Sequence, residues 1–124
     1  MNVLIADKSC EVREQLKNLV SKISKDSEIQ ETESNLEAVS KLFKYNPSIV
    51  ITDVDLCDGT GLDLLAFAAN KRPKALIIVY TNHYKNNLRT LSLNIGADFY
   101  LFKSDDLTLM REILIQQEKK VLYS

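Results

Sequence analysis

The stretch Ser48-Ile-Val-Ile-Thr-Asp-Val-Asp-Leu-Cys-Asp-Gly-Thr-Gly-Leu-Asp-Leu-Leu65 decides how the chain is read. An apolar run, Ile49-Val50-Ile51, stops at Thr52 and passes into Asp53, Val54 and Asp55. A continuous apolar run of this kind is the mark of a strand covered on both faces, as in a parallel sheet. Two carboxylates bunched at its end are costly without a cation nearby. Asp53 is therefore expected to meet something positive.

The same pattern recurs along the chain. Apolar runs at Val3–Ala6, Leu76–Tyr80 and Phe99–Phe102 resemble the first, and a weaker strand is expected around Glu28–Glu33. Helical patterns lie between them. Val12, Leu16, Leu19, Val20 and Ile23 form one stripe. Leu36, Val39, Leu42 and Phe43 form a second, opened by the capping box Ser34-Asn35-Leu36-Glu37. Leu62, Leu65, Ala66 and Ala69 form a third, with a similar cap expected at Thr60. Tyr84, Leu88, Leu91 and Ile95 form a fourth, stopped by Gly96. Leu107, Met110 and Leu114 form a fifth, with Asp105 and Asp106 expected in its first turn. Five β-α units with short connections imply a parallel sheet with helices on both faces.

Composition sets the outer bounds. The chain has 124 residues, enough for one domain, and a net charge of -1. That charge gives no bias toward nucleic acid or an acidic membrane surface. No apolar stretch is long enough to span a bilayer, and the start, Met-Asn-Val-Leu-Ile-Ala-Asp-Lys, lacks a signal peptide's pattern. Two cysteines, Cys10 and Cys57, read as reduced thiols, and a cytoplasmic location is expected.

Parallel sheets bind ligands beyond the carboxyl ends of their strands. The residues there are Asp7-Lys8 after strand one, Asp53 and Asp55 after strand three, Thr81-Asn82-His83 after strand four, and Lys103-Ser104 after strand five. Acids, a hydroxyl and an amine thus converge on one crevice.

In this order and spacing, Asp7, Asp53, Thr81 and Lys103 resemble the receiver domain of bacterial two-component response regulators. The resemblance covers essentially the whole chain, residues 1–124, as a single domain. Asp53 with Gly61 eight residues later, the strand Leu-Ile-Ile-Val-Tyr-Thr81 and the segment Gly96-Ala-Asp-Phe-Tyr-Leu-Phe-Lys103 carry it. The resemblance implies a doubly wound, flavodoxin-like α/β fold, with a five-stranded parallel sheet in order 2-1-3-4-5 flanked by five helices. It implies Asp53 as phospho-acceptor from a histidine kinase or phosphotransfer protein. Mg²⁺ would be held by Asp7, Asp53 and Asp55, and Lys103 would contact the phosphoryl oxygens. Thr81 and Tyr100 would be switch residues that reshape the face of helix four, strand five and helix five. A downstream protein target or a missing output domain would read that face, and a homodimer stays open. No direct contact with nucleic acid or membrane is expected, nor enzymatic activity in its own right.

Three positions depart from the family pattern. Lys8 stands where a second acid is usual, which removes a metal ligand and adds a repelling charge. Weak Mg²⁺ binding is the expectation, unless Asp55 compensates. Ser104 replaces a proline, so a trans peptide bond is expected after Lys103. Asn82 is larger than the residue usual beside the site, and His83 borders it; both are expected to modulate. Two other readings compete. One is a pseudo-receiver, an interaction module working without phosphorylation. The other, more remote, is a phosphatase of the haloacid dehalogenase type, suggested by Asp53-Val54-Asp55.

Overall fold

A computed structural model describes residues 1–123. The elements run β1 (Asn2–Ala6), α1 (Cys10–Ile23), β2 (Glu28–Thr32), α2 (Asn35–Tyr45), β3 (Ile49–Thr52), β4 (Asp55–Leu56), β5 (Gly59–Thr60), α3 (Leu62–Asn70), β6 (Leu76–Thr81), α4 (Asn86–Ile95), β7 (Phe99–Phe102) and α5 (Leu107–Tyr123). The main sheet has the order β2-β1-β3-β6-β7 with every pair parallel. Counting its five strands alone, this is the expected order 2-1-3-4-5. The fold is the flavodoxin-like, doubly wound α/β architecture. Among the described residues, no helix is long and apolar enough to cross a membrane.

Both faces of β1, β3 and β6 are buried, which is why these strands read as unbroken apolar runs, whereas the edge strand β2 is polar and only partly buried. Leu4, Val50, Ile77 and Val79 point into a core closed by Ala38 and Leu42 of α2 and Leu64, Leu65 and Ala68 of α3. Val3, Ile5, Ile49, Ile51 and Ile78 point the other way, onto Leu16 and Val20 of α1 and Met110, Ile113 and Leu114 of α5.

A two-stranded antiparallel hairpin, β4–β5, follows β3 directly and was not expected. Gly59 turns it with a φ of +126°, a conformation open to glycine at little strain. The hairpin is stapled to the start of α2. The Asp58 carboxylate accepts from the Asn35 and Leu36 amides, at 2.6 and 3.0 Å. The buried Asn35 side chain donates to the Thr60 carbonyl and accepts from the Leu64 amide, joining α2 to the start of α3. Ser34 caps α2 as its sequence predicts, accepting from Glu37 N at 3.1 Å.

Several helix details differ from expectation. On α2 the buried positions are Asn35, Ala38 and Leu42, while Leu36 and Phe43 face solvent. Asn35's bonds to Thr60 and Leu64 fix the helix's rotation and carry half the apolar stripe outward. Gly61, not Thr60, precedes α3, and no side chain caps it. α4 begins at Asn86, leaving Tyr84 in the preceding loop, and buries Ser92 while Leu91 is exposed. Ser92 Oγ donates to the Leu88 carbonyl, which lets a polar residue face inward. Asp105 and Asp106 precede α5 rather than entering its first turn; Asp106 accepts from Phe102 N at 2.8 Å.

Replacing Asn35 by alanine leaves the Thr60 carbonyl and the Leu64 amide without this partner. The expected loss is about 1–3 kcal/mol, read by urea denaturation, with faster hydrogen exchange across residues 54–64.

Candidate functional site

The site is built by strand register. Ala6 of β1 pairs with Thr52 of β3, so the next residues, Asp7 and Asp53, emerge side by side. Thr81 ends β6 and Lys103 follows β7 after the Thr81–Phe102 pair. Asp53 N donates to the Ala6 carbonyl at 2.9 Å and Lys103 N to the Thr81 carbonyl at 2.9 Å, extending the ladders up to the site. Gly61 completes the floor. A Cβ there would overlap the Asp53 carbonyl oxygen, so only glycine lets the backbone pass this close.

Four of the expected residues meet. Asp7 and Asp53 are 3% and 7% exposed. Lys103 Nζ lies 2.7 Å from Asp7 Oδ2 and 2.7 Å from Asp53 Oδ2. Thr81 Oγ1 donates to Asp53 Oδ1 at 2.5 Å, and the Asp55 amide donates to the same oxygen at 3.2 Å. Asp7 Oδ1 accepts from the Ser9 amide at 2.8 Å. Asp53 therefore has hydrogen-bond donors on both carboxylate oxygens.

Burial pushes the Asp7 carboxyl above its ordinary value, and Lys103 and the Ser9 amide only partly oppose this. For Lys103, burial works to lower the value, but the hydrogen bonds and charges of Asp53 and Asp7 outweigh it and raise it. The ammonium is thus held charged. An acid raised in the fold binds its proton more tightly there than in the unfolded chain. Its contribution to stability falls as pH rises through that window and returns on acidification.

Lys8 and Asp55 stand apart from this cluster. Lys8 Nζ lies 2.8 Å from Asp55 Oδ2, and both side chains are about half exposed at the crevice rim, 48% and 49%. Lys8 thus reaches Asp55 rather than Asp53. Asp55, expected to compensate as a metal ligand, has its carboxylate engaged by this ammonium. Among the described residues, no group of three or more His, Cys, Asp or Glu side chains is placed to hold a metal ion. Asp7 and Asp53 by themselves are hard oxygen donors, and Mg²⁺ commonly takes one or two carboxylates plus water. That pair fits the ion; the third expected donor does so only when Lys8 lets go.

Tyr100 is buried and donates from its hydroxyl to the His83 carbonyl at 2.8 Å. The His83 amide donates to Thr81 Oγ1 at 3.3 Å. His83 and Asn82 are themselves exposed. Thr81, His83 and Tyr100 are therefore linked through the backbone of the β6–α4 loop. Sequence reasoning missed the outer part of this link. Tyr84 stacks on Phe102 with ring centroids 4.5 Å apart and shares a short hydrogen bond with Ser104. Two aromatics flanking an otherwise polar loop were the available signal. The Lys103–Ser104 bond is trans, as expected from the missing proline; Arg72–Pro73 is the cis bond among the described residues.

Comparison with known proteins follows from this geometry. The sequence profile of the response regulator receiver domain matches residues 3–115. The chemotaxis protein CheY of Listeria monocytogenes is 30% identical over 106 residues, covering 83% of this chain and 86% of CheY. A protein-glutamate methylesterase/protein-glutamine glutaminase of Carboxydothermus hydrogenoformans is 25% identical over 130 aligned positions. That alignment takes in all of this chain but 37% of the methylesterase. Among solved structures, a CheY-like receiver domain protein from Methanospirillum hungatei superposes with a TM-score of 0.79 at 27% identity, covering 96% of this chain and 97% of that one.

Replacing Lys103 by methionine leaves Asp7 and Asp53 facing each other without their cation. The expected loss is about 3–5 kcal/mol at neutral pH. Part of it returns on acidification, as the carboxylate pair takes up a proton it otherwise lacks. Urea denaturation of both proteins across the acidic range measures this, and the gap between them should narrow as pH falls.

Proposed function

Because the chain belongs to the response regulator receiver domain family, matched over residues 3–115, we propose that it is a phospho-accepting receiver acting through Asp53. The observation that carries the reading is the Asp53 carboxylate itself. It is buried at an inner strand end, with Thr81 on one oxygen and Lys103 on the other.

The proposed chemistry is phosphoryl transfer from a phosphohistidine of a kinase or phosphotransfer protein. An oxygen of Asp53 forms a bond to phosphorus as the phosphorus–nitrogen bond of the donor breaks. The imidazole leaves with its electron pair and takes up a proton. Such a reaction asks the protein for positioning and for positive charge around the transferred oxygens. The oxygen beside Lys103 is the favoured nucleophile, since the ammonium then stays next to the transferred group. Thr81 Oγ1 is placed to donate to a new phosphoryl oxygen once it leaves Oδ1. Tyr100 would follow through the His83 backbone. A bound Mg²⁺, resting on Asp7 and Asp53, would supply charge neutralisation between carboxylate and phosphoryl group.

This reading includes a partner kinase or phosphotransfer protein and a downstream target or output domain read through α4, β7 and α5. The methylesterase relative extends well beyond the receiver segment, so its activity is said of that protein alone. The dehalogenase-type reading of Asp53-Val54-Asp55 loses its support. Asp55 is turned onto Lys8, and the family is that of signalling receivers.

One set of observations favours a second reading, the pseudo-receiver. Thr81 is bonded to Asp53, Tyr100 is buried, and Lys8 holds Asp55. A site already arranged in this way could serve a partner without phosphorylation.

Two experiments separate the readings. Incubation with acetyl phosphate and Mg²⁺ should add one phosphoryl group by intact mass, and Asp53→Asn should abolish the gain. Undiminished labelling of the variant rules Asp53 out, and no labelling of the parent at saturating Mg²⁺ favours the module. Separately, Lys8→Asp should tighten Mg²⁺ binding about tenfold, by replacing a nearby positive charge with an oxygen donor. Amide shifts around Asp53 during a Mg²⁺ titration measure it, and equal affinities would mean that Lys8 does not shape the site.

A further inference from the structure

The rotation of α2 has a result on the outside of the molecule. Leu36 is 80% exposed, Phe43 56% and Phe67 of the neighbouring α3 49%. These are large apolar side chains on two adjoining helices. Phe43 and Phe67 meet edge to face, with centroids 6.0 Å apart and rings at 83°. Beside them a groove of about 390 Å³ is lined by Asn35, Leu36, Val39, Asp58, Asp63 and Phe67. Scattered single apolar residues need no explanation, whereas a contiguous cluster marks a contact surface.

The charges around this cluster are sorted by position. α2 and α3 both run back from the carboxyl ends of the strands, so their N-termini share the end of the sheet nearest Asp53. Asp58 and Asp63 lie at that end, with Glu33 close by in sequence, while Glu37 is already paired with Lys41 one turn along α2 at 3.1 Å. Lys44, Lys71 and Arg72 lie at the other end, where the helices stop. Among the described residues, no carboxylate pairs with any of these three: Lys71 bonds Asn46, Arg72 bonds backbone carbonyls, and Lys44 sits over the Tyr45 ring. The groove is at the acidic end and the protruding Phe43 is toward the basic end.

A surface with its groove and acids at one end, and its knob and bases at the other, complements itself when a copy is turned end for end. We propose that the α2–α3 face is a homodimer contact between two copies of this chain packed antiparallel across it. A two-fold axis near Val39 and Phe67 seats Phe43 of each copy in the other's groove, between Leu36 and Phe67. The same operation sets Lys71 and Lys44 of each copy against Asp58 and Asp63 of the other. Two-fold contacts require this reciprocity, residue i on j and j on i. A parallel copy would oppose like charges at both ends, which is costly. The helices are short, eleven and nine residues. The face is therefore small, and the dimer is expected in the micromolar to millimolar range rather than as an obligate one.

Sedimentation of the whole chain over a concentration series tests this. The expected result is a reversible monomer–dimer equilibrium that weakens with added salt, because exposed charge pairs are screened. Phe43→Glu should weaken it about tenfold or more, and Leu36→Glu should do the same. Each side chain is exposed, so far-UV circular dichroism should be unchanged. Asp63→Lys and Lys71→Glu should each weaken the dimer, and the double variant should restore it. A chain that stays monomeric at millimolar concentration overturns the proposal, whatever other protein meets this face. So does a dimer that both apolar-to-Glu variants leave intact, or one that the charge exchange fails to rescue.

Discussion

A single ammonium, Nζ of Lys103, sits 2.7 Å from a carboxylate oxygen of Asp7 and 2.7 Å from one of Asp53. The rest of the site depends on that placement. The β1–β3 register delivers the two acids next to each other whether or not they repel, because parallel pairing of Ala6 with Thr52 leaves them no other direction. Taking both out of water multiplies the repulsion. Only a cation arriving from a third strand resolves it, and β7 supplies one from the far edge of the sheet. The ammonium therefore acts as a tie between strands as well as a charge: it fixes the ends of β1, β3 and β7 relative to one another and holds open a crevice of defined shape.

The electrostatics of this crevice differ from those of a site with two acids in tandem after β1. Three carboxylates, Asp7, Asp53 and Asp55, face two ammoniums, Lys8 and Lys103. The arrangement is one charge from neutral. A site that is nearly self-neutralised has less to gain from a divalent cation. The two lysines are not equivalent, however. Lys103 is largely enclosed, whereas Lys8 meets Asp55 in water, where such pairs contribute little. The outer pair is the one that can open at small cost.

Most of the fold is legible in the sequence because the parallel sheet leaves a simple trace. Strands covered on both faces must be apolar throughout, so Val3–Ala6 and Ile49–Ile51 announce themselves. The residues ending them are then identified by position alone, which is how Asp7, Asp53, Thr81 and Lys103 could be grouped. What could not be read depends on contacts between distant segments. The β4–β5 hairpin has no periodicity, being two residues on each side of a turn. The rotation of α2 is set by Asn35 reaching Thr60 and Leu64, so Leu36 and Phe43 looked like core and are not. The helical spacing of Tyr84 with Leu88 likewise placed it in α4, although stacking on Phe102 and bonding to Ser104 hold it in the loop. The partnership of Lys8 with Asp55 needs the hairpin to bring Asp55 to the rim.

The staple between α2 and the hairpin also orders events in time. Asn35 must find Thr60 and Leu64, which are 25 and 29 positions away, and Asp58 must return 23 positions to the α2 amides. Each such closure loses chain entropy before any bond rewards it. Contacts of this separation form slowly beside those within a single helix. The segment after Asp53 therefore takes its shape only once α2 has docked and the start of α3 is available. The tie from Lys103 to Asp53 spans 50 positions, a longer closure still, so the crevice and its entrance depend on the same late, long-range closures and neither stands complete without the other.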